Sequence, residues 1–300
     1  MAAAAILMGM AAFLAGCASG GAGQGGNGSR IQVVAAENFW GSIAAQLGGA
    51  KAHVQSIIVD SATDPHSYEP TPSDARRLAS ARLAIVNGVG YDSWATKLLE
   101  ANPQSGRAVL NVGHLLGLRQ GENPHRWYFP ADVRAVIARI AADYERLDPA
   151  DAGYFARRRA SFETAGLARY DALRARMRAS YAGVPVGYSE SIFQGLGEDL
   201  HLHLLTPYSF AKAIAEGSEV TAEDKRTVDG QAEKHEIRVW VLNSQNLTPD
   251  VQRVSELARA NGIPIATVTE TLSPARDTFE QWQDAQLEGL AKALHEATGR

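Results

Sequence analysis

Cysteine is almost missing from this sequence: Cys17 is the only one in 300 residues, so no disulfide can form within the chain. An excess of positive charge is missing too. Lys and Arg number 29 against 33 Asp and Glu, a formal net charge of −4, which leaves no overall basic field for a nucleic acid partner. No apolar run reaches the roughly 20 residues that a helix needs to cross a bilayer. No HExxH pair is present to build a zinc protease helix. What remains is ordinary globular composition, 45% hydrophobic and 21% charged, in a chain of the length at which single cores split into two.

The first residues are set apart from the rest. Residues 1–17 read as a signal peptide, an apolar run over 2–14 followed by small residues. Its end, Leu14-Ala15-Gly16-Cys17, resembles the lipobox of bacterial lipoproteins, which implies cleavage before Cys17, a lipid on its thiol and an extracytoplasmic protein moored to the membrane. Residues 18–30, nearly all Gly, Ala, Ser and Asn, then form a flexible tether with ends on the order of 20 Å apart.

From residue 31 onward, short runs rich in β-branched residues alternate with amphipathic segments. Strands are expected at 31–36, 53–59, 83–88 and 108–112, with helices between them. That alternation predicts a parallel sheet covered on both faces. Residues 130–181 change to an Ala- and Arg-rich helical stretch, interrupted near 147–154. Strands resume at 183–188, 203–207, 237–243 and 264–269, and an amphipathic helix closes the chain at 278–298. The expected fold class is therefore α/β: two Rossmann-like lobes, residues 31–130 and 182–300, joined by a long helical linker at 131–181. A ligand is expected in the cleft between them, beyond the carboxyl ends of the strands.

Three residues are placed to do chemistry there. His66 lies in DPHSYEPTPSD, held between Pro65 and Pro70 in a loop after a strand; Thr71-Pro72-Ser73-Asp74 then starts a helix. His125 lies in ENPHRWYFPAD, where Pro124 precedes the histidine and Pro130 opens a helix. Neutral imidazole is the commonest transition-metal ligand, and two of them on separate stiffened loops form half of a tetrahedral shell. Glu190, in GYSES after the 183–188 strand, adds the charge and oxygen that imidazoles lack. With two imidazoles as ligands, metal binding is expected to weaken as pH falls through about 6.5.

The stretches DPHSYEPTPSDARRLASARLAIVNGVGYDSWATKLL, NPHRWYFPADV, VWVLNSQNLTPDV and GIPIATVTETLSP together resemble the periplasmic zinc/manganese solute-binding proteins of ABC importers, the cluster A-I metal-binding lipoprotein family. The likeness runs from about Ile31 to the end. It implies two lobes on one long helix, small hinge motion, an interlobe metal on two ligands from each lobe, and a membrane permease as partner. His66 and His125 match the family's two histidines, and Glu190 its third position. The fourth is often an Asp after the 237–242 strand, but Asn243-Ser244-Gln245-Asn246 stands there with no acid before Asp250. Glu270, Gln245 or a water are the alternatives, with Glu270 favoured. The transported ion is Zn²⁺ or Mn²⁺, zinc favoured on intrinsic affinity. A monomer is expected, not an enzyme.

Other readings remain. Ser189 in GYSES approaches the G-x-S-x-G elbow of a serine hydrolase, with Ser191 replacing the last glycine. A metal-dependent hydrolase would keep a water at an open position, and an adhesin could use the same scaffold. His201 and His203 alternate as if on one face of a strand and could hold a second ion. Asp64 and Glu69 could orient the imidazoles. The tryptophans read as packing.

Overall fold

In the computed structural model, residues 30–300 are described; the expected signal peptide, Cys17 and nearly all of the tether lie outside the described residues. Two four-stranded parallel sheets account for the strand periodicity. In the first lobe, β1 (Ile31–Glu37), β2 (Ala52–Ile58), β3 (Leu83–Val86) and β4 (Ala108–Asn111) are separated by α1 (Asn38–Gly48), α2 (Pro72–Ser80) and α3 (Ser93–Ala101). The short α4 (Val112–Leu115) follows β4. In the second lobe the strands are β5 (Pro185–Tyr188), β6 (His203–Leu204), β7 (Val239–Asn243) and β8 (Ile265–Val268).

The strand orders are β2-β1-β3-β4 and β6-β5-β7-β8, the same pattern twice. In each sheet the crossovers leave in opposite directions on either side of the pair β1/β3 or β5/β7. A crevice opens at such a switch point beyond the strand ends. Glu37 and Asn243 end the strands β1 and β7, and Asn87 and Glu190 lie in the loops just past β3 and β5.

The helical middle of the chain divides into two roles. The helix α5 (Pro130–Leu147) buries Val133, Val136, Ile137, Ile140 and Tyr144, and the Tyr144 hydroxyl donates to the carbonyl of Ala44 in α1 at 2.9 Å. It is thus packed on the first lobe. The joining helix is the next one: α6 (Ala152–Ser161) passes through a π-turn at Phe162–Gly166 into α7 (Ala168–Tyr181). The expected interruption at 147–154 is the 3₁₀ turn Pro149–Asp151.

The second lobe carries α8 (Gln194–Asp199), α9 (Tyr208–Ala215), α10 (Ala222–Glu233), α11 (Pro249–Ala260) and α12 (Phe279–Thr298). Its edge strand is shorter than the sequence suggests. Only His203 and Leu204 pair with β5, because the chain turns away at Pro207 to start α9. Helix starts follow local chemistry: Thr71 and Thr278 cap α2 and α12 with reciprocal capping boxes to Asp74 and Gln281.

One apolar core runs through both lobes. Trp127 stacks on Phe39 with ring centres 3.9 Å apart, and Tyr128 meets Trp282 edge-on at 5.7 Å. Trp40, Trp127, Trp240 and Trp282 are among the largest fully buried side chains, so packing is their role. A shared core of this kind opposes wide separation of the lobes. Among the described residues, no helix is long and apolar enough to cross a membrane.

Candidate metal centre

Where the two crevices face each other, His125, Glu190 and Glu270 converge. Each offers one ligand atom, and these atoms lie within 4.8 Å of one another, all three residues being buried. His125 Nε2 stands 3.5 Å from Glu190 Oε1 and 3.5 Å from Glu270 Oε2. Among the described residues this is the one such group of His, Cys, Asp and Glu.

The imidazole of His125 is fixed by its other nitrogen. Nδ1 lies 2.8 Å from Asn123 Oδ1, an amide oxygen that can only accept, because the Asn123 Nδ2 donates to the Ser191 carbonyl at 2.8 Å and to Gln194 Oε1 at 3.1 Å. Nδ1 therefore carries the hydrogen and Nε2 a bare lone pair. Nε2 is buried without a hydrogen-bond partner. A buried acceptor left empty costs free energy, and here it points at two carboxylates, the arrangement a cation relieves.

The carboxylates are held from behind. Asn243 Nδ2 donates to Glu190 Oε2 at 2.7 Å and to Glu270 Oε1 at 2.8 Å. Asn246 Nδ2 adds a bond to Glu190 Oε2 at 3.1 Å, and the Tyr91 hydroxyl donates to Glu270 Oε2 at 3.0 Å. Burial, and then the charge of Glu270, raises Glu190 to about 8; burial raises Glu270 to about 7. Two carboxyls this close and this dry resist ionising together.

His66 stands at the mouth. Its ring centre is 4.7 Å from that of Tyr91 and 6.4 Å from that of His125, just beyond the converging trio. Asp64 stiffens its loop, accepting from the His66 N–H and the Ser67 hydroxyl, each at 2.9 Å. It does not orient the imidazole as expected, and Glu69 is exposed. Burial pushes His125 down to about 4; burial and the neighbouring His125 push His66 to about 4. His66 is exposed, and solvent relieves part of the effect there; at His125, fully buried, the charge of Glu190 opposes it without cancelling it. Both rings are thus moved below 6.5, the value on which the expected pH dependence rests, while burial moves the two carboxyls above theirs.

A cleft of about 440 Å³ leads in, lined by Ser61, Asp64, His66, Glu190, Asn246 and Glu270 among others. Gln245, the alternative fourth ligand, is spent elsewhere. Its Nε2 donates to the Ser61 carbonyl at 2.8 Å and to Thr271 Oγ1 at 3.1 Å, and its Oε1 accepts from Thr271 N at 3.0 Å.

The serine elbow has no partners. Ser189 is buried and its Oγ accepts the Asn243 N–H at 2.9 Å, while His201, His203, His235 and His295 are all exposed. Nor do His201 and His203 share a strand face: His201 sits in a turn at φ 56°, outside β6. Sequence reasoning missed Tyr91, Asn123, Asn243 and Asn246. Asn243 and Asn246 had one signal, the polar run NSQN after an apolar strand, read there as lacking an acid; Tyr91 and Asn123 had none.

Residues 33–293 match the family model of ZnuA, the zinc-uptake complex component A, periplasmic. The chain is 25% identical over 262 residues to the iron-binding protein YfeA of Yersinia pestis, covering 84% of this chain and 74% of that protein. It is 24% identical over 313 positions to the metal ABC transporter substrate-binding lipoprotein FimA of Streptococcus parasanguinis, covering 97% and 96%. The periplasmic zinc-binding protein TroA of Treponema pallidum superposes with a TM-score of 0.75 at 16% identity, over 88% of this chain and 99% of that one, a likeness of fold.

Proposed function

The chain belongs to the ZnuA family of periplasmic zinc-uptake components, and from that premise we propose that it captures a divalent transition metal between its lobes and hands it to the permease of an ABC importer. Members of this family are extracytoplasmic solute-binding proteins, not enzymes. The observation that carries the reading is the bare, buried Nε2 of His125 facing Glu190 and Glu270 at 3.5 Å. His125, Glu190 and Glu270 serve as ligands, and His66 completes the set by a side-chain adjustment at the cleft mouth, a common accompaniment of binding.

Zinc is the favoured ion and manganese the second. Two nitrogens and two carboxylates meet the four ligands that zinc requires, and zinc binds such a set more tightly than manganese. A lipid on Cys17 moors the protein, which acts as a monomer. Incorporation of a labelled fatty acid that disappears in Cys17→Ser tests the anchor.

Elemental analysis of protein purified without added metal, followed by competition between Zn²⁺ and Mn²⁺, tests the capture. His125→Ala and Glu270→Ala should each abolish tight binding. Metal titrations unchanged in both variants would end the proposal.

A further inference from the structure

We propose that Asn243 limits the number of oxygens the cleft offers to an ion, and thereby sets its preference for zinc over manganese; this rests on the metal-binding role proposed above. A carboxylate can hold a metal through one oxygen or through both. In this cleft the two oxygens of each carboxylate are unequal. Glu190 Oε1 and Glu270 Oε2 face His125 Nε2 at 3.5 Å, whereas Glu190 Oε2 and Glu270 Oε1 are drawn back onto the two hydrogens of one amide, Asn243 Nδ2.

That amide has no freedom to turn. Asn243 is fully buried at the end of β7. Its Oδ1 accepts the Gln245 N–H at 3.1 Å, which settles which end faces the acids, and its own N–H is bonded to Ser189. An oxygen that left Nδ2 to reach a metal would strand a buried hydrogen, which is costly. Asn246 holds Glu190 Oε2 a second time. The near oxygen of Glu270 also accepts from Tyr91, which takes up one of its lone pairs.

An ion beside His125 therefore meets one oxygen from each carboxylate. With two imidazoles this makes four donors, the number of a tetrahedral zinc site. Manganese favours a six-coordinate, oxygen-rich shell, which this cleft would supply only if both carboxylates let go of Asn243. An aspartate at this position could not play the part: it has no hydrogens to donate and would bring a third negative charge.

Co²⁺ is the probe, because its visible bands are intense when it is four-coordinate and weak when it is six-coordinate. The full chain loaded with Co²⁺ should give intense bands. In Asn243→Ala the bands should weaken, and the ratio of zinc to manganese affinity, read by chelator competition, should fall about tenfold or more. Asn246→Ala, which frees Glu190 Oε2 from one of two donors, should fall between the two. A weak six-coordinate spectrum in the unaltered protein would overturn the inference while leaving metal capture intact, and so would an unchanged spectrum and ratio in both variants. Failure of Co²⁺, Zn²⁺ and Mn²⁺ alike to bind the unaltered protein would remove the capture role and the inference together.

Discussion

Asn123 Oδ1 lies 2.8 Å from His125 Nδ1, and the amide nitrogen of the same side chain reaches the carbonyl of Ser191, in the facing lobe, at 2.8 Å. One side chain thus sets the tautomer of a first-lobe ligand and ties it to the residue that follows a second-lobe ligand, Glu190. Asn123→Ala should weaken metal binding by about 10–100-fold, as loss of such supporting bonds does elsewhere. Asn123→Asp, which keeps the acceptor and loses the donors, should lose less. Competition titration of both variants checks the order.

Protons should compete with the metal at the carboxyls. With Glu190 raised to about 8 and Glu270 to about 7, an ion binding at pH 7 should expel about one proton. Affinity should climb with pH and level off above about 8. Calorimetric titration in buffers of different ionisation enthalpy counts the protons; about half a proton or less at pH 7, with a midpoint near 6.5, would return the competition to the imidazoles.

The stability of the metal-free protein should depend on pH in the opposite sense. A carboxyl whose folded pKa is raised contributes stability that is full below the usual carboxylate range and lost as pH rises through the folded value. Glu190 and Glu270 give this loss up to about 8. The lowered histidines act the other way, but their contribution is complete by about 6.5, their ordinary value. The melting temperature without metal should therefore fall between about pH 6.5 and 8, and saturating metal should flatten that slope. Melting curves with a chelator and with zinc test it.

Gln245 joins the His66 loop, through Ser61, to Thr271 beside Glu270. Gln245→Ala should leave the ligands in place yet loosen the loop that carries His66. Metal should dissociate about tenfold faster, with little change in melting temperature. Stopped-flow release into excess chelator measures it, and an unchanged rate would show that the bond does not hold the loop.

Gly195 in α8 sits against the ring of Phe129, where an added Cβ would come within 2.4 Å of a ring carbon. Phe129 cannot move easily, since the Arg126 guanidinium lies over its ring at 3.6 Å. Gly195→Ala should cost about 1–3 kcal/mol by overpacking, visible as a lower midpoint in urea.

The alternation of strands and helices, the two proline-framed histidines and the carboxylate after β5 were legible because each is a local signal. Periodicity needs a dozen neighbouring residues, and X-Pro-His followed by a helix start needs fewer. The helix α9 went unread because Tyr208–Ala215 is one short Ala-rich run. The supporting amides were illegible for a different reason. Asn123, Asn243 and Gln245 are ordinary loop or strand-end residues by type, and each ties the site together through partners 26 to 184 positions away.

The run of α6 through the π-turn at Phe162–Gly166 into α7 makes the alignment of the cleft a matter of counting. Each residue of an α-helix advances the chain by about 1.5 Å and rotates it by about 100°. Deleting a single residue from α7 ahead of Tyr170 would turn Tyr170, Leu173 and Met177 off their buried side and carry the second lobe round with them. Glu190 and Glu270 would then miss His125 without any change in the ligands themselves, so the spacing of a helix far from the ion is as much a part of the binding site as the side chains that touch it.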